Sequence, residues 1–188
     1  MLKATLNDIK KFLEIRNYPC TILNKSEFIP VEQLVIELMR DSKERARLLL
    51  VRATQQNLSA SDALLGIKSK IRIYQEIQFI VTLPFQVVDE QIPDAARLIL
   101  LLNKGLELPG FELSESDRLI FFRHAFVVPE DDLDERIFLS LVGMIELVLD
   151  AFAETLEKVA TGKQSLREVI EEAKTLMVSA APGDSVEK

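Results

Sequence analysis

The part of the sequence that most constrains the fold is residues 91–128, which begin with a helix too apolar for a single buried stripe. Apolar side chains form one seam of this predicted helix, made of Ile92, Ala95, Ile99, Leu102 and Leu106. Leu98, Leu100 and Leu101 occupy other sides of it. One sheet cannot cover all of these positions. We therefore expect a second covering surface, either the C-terminal helix of the same chain or the same helix in a second subunit.

The remainder of this stretch predicts a β-hairpin. Gly105 and the pair Pro109-Gly110 end the helix and turn the chain. Residues 114–117 suit the loop of a hairpin whose returning strand covers residues 118–128. In that returning strand, apolar side chains occupy both parities, with Leu119, Phe121 and Val127 on one and Ile120, Phe122 and Phe126 on the other. The pattern predicts an interior strand that is covered on both faces.

A strand at residues 71–83 is the clearest in the chain. Apolar residues occupy one parity and mainly polar residues the other, which is the two-residue period of a half-buried strand. Pro84 is expected to end the regular pairing, because proline has no backbone N–H to donate.

Residues 31–53 allow two interpretations. Read as a helix, several apolar residues nearly share one face, namely Val31, Val35, Leu38, Ala46, Leu49 and Ala53. Read as strands, residues 34–39 and 48–53 form two short apolar runs on either side of a charged link at residues 40–45. The pattern alone slightly favours the helix, and both interpretations stay open at this point.

The N-terminal part of the chain predicts a helix and short irregular pieces. Thr5 can cap a first helix that stops near Asn17-Tyr18-Pro19, since proline cannot continue it. A short extended piece can follow at residues 20–23. Ser61 can cap a helical turn over residues 62–65.

The C-terminal part predicts two helices and a tail. Asp131 and Asp132 offer caps for a long helix over residues 133–160. Residues 164–179 read as a further amphipathic helix. Residues 182–188 have nothing to bury, so we expect them to fray.

Composition excludes several classes of protein. A length of 188 residues suits one domain. The net charge of −7 opposes phosphate binding, so we expect no nucleic-acid partner. The sequence has no run of eighteen apolar residues and no apolar core of a signal peptide at its start, which predicts a soluble, cytoplasmic protein without a membrane partner. The single cysteine fits a reducing compartment.

Catalytic and cofactor motifs have no support in the sequence. His124 is the only histidine, which rules out catalytic triads and two-histidine metal sites, and we interpret it as a structural or surface residue. Cys20 is interpreted as an inert, partly buried thiol. There is no glycine-rich phosphate loop. We therefore predict a non-enzymatic protein with no catalytic residue, no metal and no cofactor.

Two charged patterns have a structural and a functional interpretation. Glu146, Asp150, Glu154 and Glu157 recur along one helical face, which is usually a solvated face and otherwise a site for a basic peptide or a hard cation. Basic residues lie on or near the predicted strands, at Arg45, Arg47, Arg52, Lys68, Lys70 and Arg72. We interpret these as residues that block edge-to-edge aggregation, with an anion site as the alternative.

Several local strings resemble the YbjN-like proteins, whose fold is shared with the type III secretion chaperones. These strings are FIVTLPF at residues 79–85, LLLNK at 100–104, LPGFEL at 108–113, IFFR at 120–123, LDE at 133–135 and LVGMI at 141–145. The resemblance covers residues 6–160. In that fold a meander of strands precedes the central helix, which favours a hairpin over a helix for residues 34–53.

The resemblance implies an α+β fold in which an antiparallel sheet of about five strands packs with helices, as in type III secretion chaperones, plus an extra C-terminal helix. The implied organisation is a single domain at residues 1–162, an additional helix at 163–181 and a disordered tail at 182–188.

The expected function is that of a chaperone-like or regulatory module that holds a segment of another protein through apolar grooves and a sheet edge. A homodimer is also expected. The residues predicted to contact the partner or the second subunit are Leu98, Leu101, Phe122 and Phe126. The alternative is a small-molecule sensor or an uncharacterised enzyme with a pocket between sheet and long helix, in which Arg123, His124 and a carboxylate would converge.

Overall fold

The computed structural model describes residues 3–57, 73–106 and 110–180. In chain order its elements are α1 (Leu6–Ile15), β1 (Cys20–Leu23), β2 (Gln33–Leu38), β3 (Arg47–Asn57), β4 (Ile73–Gln86), α2 (Ile92–Gly105), β5 (Phe111–Ser114), β6 (Leu119–Pro129), α3 (Glu135–Ala160) and α4 (Leu166–Ala180). A short 3-10 turn, Asp89–Gln91, leads into α2. The predicted α+β class is confirmed.

The six strands form one antiparallel sheet in the order β1-β2-β3-β4-β6-β5, one strand more than the five or so that we predicted. The hairpin interpretation of residues 34–53 is confirmed, because β2 pairs with β3 in a register that places Leu34 opposite Val51 and Ile36 opposite Leu49. The strands are favoured over the helix because β3 is paired on both edges and its apolar residues join the common core.

The core lies on one face of the sheet. One parity of the central strands is fully buried, including Leu49, Phe79 and Phe122, and it meets buried residues of α1 and α3 such as Leu13 and Phe138. On the other parity of β6, Arg123, Ala125 and Val127 are exposed and Phe121 is partly exposed. Our prediction that this strand is covered on both faces is therefore wrong. None of the helices that the structure describes covers the second face.

Local signals place the ends of α1 and α2 as predicted. Thr5 is the N-cap of α1, and its Oγ1 accepts a hydrogen bond from the backbone N of Asp8 at 3.3 Å. The helix ends at Ile15, and Asn17 turns the chain with a φ of 60°. Gly105 is the last residue of α2.

The start of α3 differs from the prediction. The N-cap is Asp134 instead of Asp131 or Asp132, and its carboxylate accepts hydrogen bonds from the backbone N–H groups of Arg136 and Ile137. Leu133 precedes the cap and is fully buried, so it anchors the entry to the helix.

The end of β4 lies three residues beyond the predicted one, at Gln86. Regular pairing with β6 nevertheless stops at Thr82 and resumes only at Gln86, with a shift of register between them. Pro84 lies within that interruption, as expected from its missing N–H.

The predicted C-terminal helix is present as α4. Leu166 is buried and Val169 and Ile170 pack against the same core, so the helix continues the main hydrophobic cluster. The predicted helical turn at residues 62–65, the basic residues at 68, 70 and 72, and the tail at 182–188 lie outside the described residues. Within the described ranges, none of the helices combines the length and the apolarity needed to cross a bilayer.

Candidate functional site

The space between the sheet and the long helix was the predicted place for a ligand pocket. A recess of about 90 Å³ lies there, between the end of β4 at Leu83 and Pro84 and the helix α3 at Leu149 and Ala153. Charged side chains complete its wall. Ligand pockets are typically about 300–1,000 Å³ and mostly apolar. The recess is therefore too small to be the pocket of a sensor or an enzyme.

Glu157 on α3 holds the link between β2 and β3 beside this recess. The Oε2 atom of Glu157 lies 2.7 Å from Arg45 Nη2, and its Oε1 atom lies 2.7 Å from Lys43 Nζ. Arg45 also pairs with Asp41 through a contact of 2.7 Å between Nε and Oδ2. Burial acts to raise the pKa of Glu157, but the hydrogen bonds from Arg45 and Lys43 outweigh it and lower the pKa below its ordinary value.

A second ion pair joins β3 to α3, and both of its residues line the same recess. The guanidinium of Arg47 is buried, and its Nη2 lies 2.6 Å from Asp150 Oδ1 and donates to the carbonyl of Arg40 at 2.9 Å. Glu146, further along α3, accepts a hydrogen bond of 3.0 Å from the backbone N of Met39. Three carboxylates of one helix thus contact the same hairpin.

These contacts correct two interpretations of charge. The acidic residues of α3 are not a simple solvated face, because Glu146, Asp150 and Glu157 bind the β2–β3 hairpin and Glu157 is buried. Arg45 and Arg47 do not protect a sheet edge either, since β3 lies between β2 and β4. The partners of these residues are far apart in sequence, so no local pattern could have paired them.

The charged side chains do not form an evident metal site. Among the described residues, no group of three or more His, Cys, Asp or Glu side chains is arranged to hold a metal ion. The carboxylates beside the recess are instead neutralised by arginine and lysine.

His124 and Arg123 do not converge on a common site. They are neighbours on β6, so their side chains point to opposite faces of the sheet. Arg123 is exposed and pairs with Glu112 at 2.7 Å. The imidazole of His124 is buried beside Phe79 and Phe126, and its Nδ1 has no hydrogen-bond partner in the described residues. Burial lowers the pKa of His124 below 6.5.

Cys20 is a partly buried free thiol on the edge strand β1. Its Sγ lies 3.9 Å from the carbonyl oxygen of Lys10, and burial is the main cause of the raised pKa of the thiol. A raised pKa reduces the thiolate fraction, which makes the group less reactive.

The four residues predicted to contact a partner differ in their accessibility. Leu98 and Phe122 are 3% and 0% exposed and belong to the core of the single chain, so they present no surface to a partner. Phe126 is partly buried and stacks on Phe79 with ring centroids 5.9 Å apart. Leu101 is 50% exposed and remains a candidate. Leu98 is buried because it lies on the side of α2 that faces the core, together with Ala95 and Ile99.

The outer faces of α2 and α3 each carry neighbouring exposed apolar side chains. On α2 these are Leu100 and Leu101, of which Leu100 is 70% exposed. On α3 they are Ile137, Met144 and Leu147, which are 55%, 41% and 67% exposed. Exposed leucines are common singly, whereas neighbouring ones on one helix face mark an interaction surface.

The apolar face of α3 was missed in the sequence. The sequence did contain a signal for this face, because at 100° per residue Leu147 lies roughly opposite Phe138, which is buried. A helix that is apolar on two opposite sides needs a second cover.

No protein-family model and no curated protein matches this chain. Its function is therefore interpreted from the geometry of its own surfaces.

Proposed function

We propose that this protein is a non-enzymatic binding module, chaperone-like or regulatory, that holds a segment of a partner protein. The observation that carries the proposal is the pair of exposed leucines on the outer face of α2, Leu100 and Leu101. When a partner covers two neighbouring exposed leucines, their apolar area is removed from water and the complex is stabilised. The small, charged recess beside α3 gives no comparable support to ligand binding.

The ends of the sheet offer a second means of holding a segment. The terminal strands are β1 and β5, each four residues long. An extended peptide can add to such an edge by backbone hydrogen bonds, while apolar contacts select its side chains. The likeness of the sequence to YbjN-like proteins and type III secretion chaperones favours the same class of function, in a cytoplasmic setting.

The test is a comparison of three versions of the full chain in affinity capture from the native host, quantified by mass spectrometry. The double variant Leu100→Ser/Leu101→Ser removes the proposed surface. Leu176→Ser is the matched control, because Leu176 on α4 is a 69% exposed leucine outside that surface. We expect a defined partner whose recovery falls at least tenfold with the double variant and is unchanged with the control.

Circular dichroism and thermal unfolding check that all three versions fold alike. A set of captured proteins that does not differ between the wild type and the double variant would refute the proposal that α2 binds a partner.

A further inference from the structure

A continuous stripe on the outer face of α3 is uncovered by the described part of the chain. We call it the α3 stripe, and it consists of the exposed residues Ile137, Ser140, Gly143, Met144, Leu147 and Ala151. Their spacing of three or four residues places them on one side of the helix. A Cβ atom added to Gly143 would meet nothing within 4 Å, so the middle of the stripe is open.

Apart from Met144 itself, each large side chain of the stripe has a small counterpart on the other side of Met144. Ile137 and Ala151 lie at equal distances on either side of it, and Ser140 and Leu147 lie closer in. If a second α3 runs antiparallel across the first with the two Met144 side chains meeting at the crossing, the other large side chains each face a small one. Ile137 then meets Ala151, and Leu147 meets Ser140. Such alternation of large and small residues lets two helices interdigitate.

The charges at the two ends of the stripe are complementary in the same arrangement. Arg136, with a 92% exposed side chain, lies at the N-terminal end, and its contact within the chain is a 3.7 Å ion pair with Asp134. Glu154 lies beyond the C-terminal end, 55% exposed and paired with Lys158 at 2.9 Å. An antiparallel crossing brings Arg136 of each copy next to Glu154 of the other. Antiparallel helix dipoles also attract.

We propose that two copies of this chain associate through their α3 stripes, antiparallel, about a two-fold axis close to Met144. An isologous contact of this kind must be self-complementary, and the α3 stripe is so in both size and charge. The interface is distinct from the Leu100 and Leu101 surface, so the dimer can form while α2 remains free for a partner.

The first test is the mass of the full chain in solution, by sedimentation velocity and light scattering. We expect a dimer for the wild type and for Leu176→Glu, which changes a leucine of nearly the same exposure as Leu147 outside the stripe. Leu147→Glu should weaken the dimer by at least tenfold, because it places two carboxylates in an apolar contact. A wild-type monomer at the highest soluble concentration would overturn the proposal.

The second test fixes the orientation with cysteine variants in a Cys20→Ala background. After addition of a mild thiol oxidant, Met144→Cys should form a disulfide between the two copies of the chain. Ile137→Cys should not, because the two positions lie about 21 Å apart along antiparallel helices at 1.5 Å per residue. Ile137→Cys should instead cross-link to Ala151→Cys when the two variants are mixed. Self-linking of Ile137→Cys would indicate a parallel pair and would overturn the proposed geometry.

The third test uses charge reversal. Arg136→Glu should weaken the dimer by about tenfold, since it repels Glu154 of the other copy at two places. Adding Glu154→Arg to the same chain should restore the affinity, and no recovery would contradict the pairing. A monomeric chain that still captures its partner would contradict the proposed dimer alone. A dimer that captures no partner would contradict only the proposed function.

Discussion

The side-chain amide of Asn103 makes two hydrogen bonds to the backbone of Phe111. Its Nδ2 donates to the carbonyl oxygen of Phe111 at 2.8 Å, and the backbone N of Phe111 donates to its Oδ1 at 2.9 Å. Because β5 is a terminal strand, Phe111 has a strand partner on only one side. Asn103 provides the other partner, and so fixes the end of α2 to the start of β5.

Replacing Asn103 with alanine tests the contribution of this pair. The backbone N–H and C=O of Phe111 lose their partners in a partly buried corner, so we expect Asn103→Ala to lower the free energy of unfolding by about 1–3 kcal/mol. Urea denaturation of the full chain measures the change. Lys104→Ala, an exposed substitution on the same helix, is the control, and an equal loss in that variant would contradict the role given to Asn103.

Gly110 is needed for the same corner. A Cβ atom at this position would lie 2.1 Å from Asn103 Oδ1 and 3.0 Å from Leu106 Cδ1, while the backbone φ is not in the positive range. We therefore expect Gly110→Ala to destabilise the protein by about 1–3 kcal/mol through this clash. The loss should be smaller when Asn103→Ala removes the nearer atom. Additive losses in the double variant would show that the two residues do not interact.

Glu157 should give stability that depends on pH. Its pKa is lowered in the folded state, so its contribution is complete above about pH 4.5 and is lost as the pH falls through the folded pKa. At neutral pH we expect Glu157→Gln to lower the free energy of unfolding by about 1–3 kcal/mol, since Arg45 and Lys43 lose the buried carboxylate charge that they contact. The difference from the wild type should shrink in acid.

The control for this prediction is Glu171→Gln on α4. Glu171 is exposed and pairs with Lys174 on the same helix at 3.0 Å, so it does not hold the β2–β3 hairpin. Its effect should be the smaller one in chemical denaturation at neutral pH. Equal effects of the two substitutions would mean that the hairpin contact contributes nothing measurable.

Local signals in the sequence were sufficient for the type of most of the described elements. Thr5, Gly105 and the alternation along β4 act over a few residues, so their physical reasons are visible in the sequence. The hairpin at residues 34–53 required more, because its helical spacing is overcome only by pairing with β1 and β4 on either side. That decision depended on the resemblance to a known family.

Contacts between distant residues explain what the sequence could not predict. Arg45 and Glu157 are 112 positions apart, and nothing near either residue identifies the other. Likewise, the apolar pattern of β6 does not show which face the helices cover, so Phe121 was wrongly expected to be interior. Leu98, predicted to contact a partner, is buried, and the apolar pattern of α2 alone does not show which of its sides faces the core.

His124 should make the protein less stable in mild acid. Its imidazole lies among Phe79 and Phe126 on the core face, and burial lowers its pKa below 6.5. The unfolded chain therefore binds a proton more readily than the folded one. The free energy of unfolding should fall by up to about 1.4 kcal/mol per pH unit as the pH drops below about 6.5, until the folded pKa is reached.

The substitution His124→Phe removes this titration and keeps an aromatic ring in the cluster. Denaturant midpoints measured between about pH 7.5 and 5 isolate the effect, because carboxylates such as Glu157 titrate mainly below that range. The variant should lose little stability over this interval, whereas the wild type should lose progressively more. Because His124 is the only histidine, identical slopes for the two proteins would show that its imidazole is protonated as easily in the folded chain as in the unfolded one.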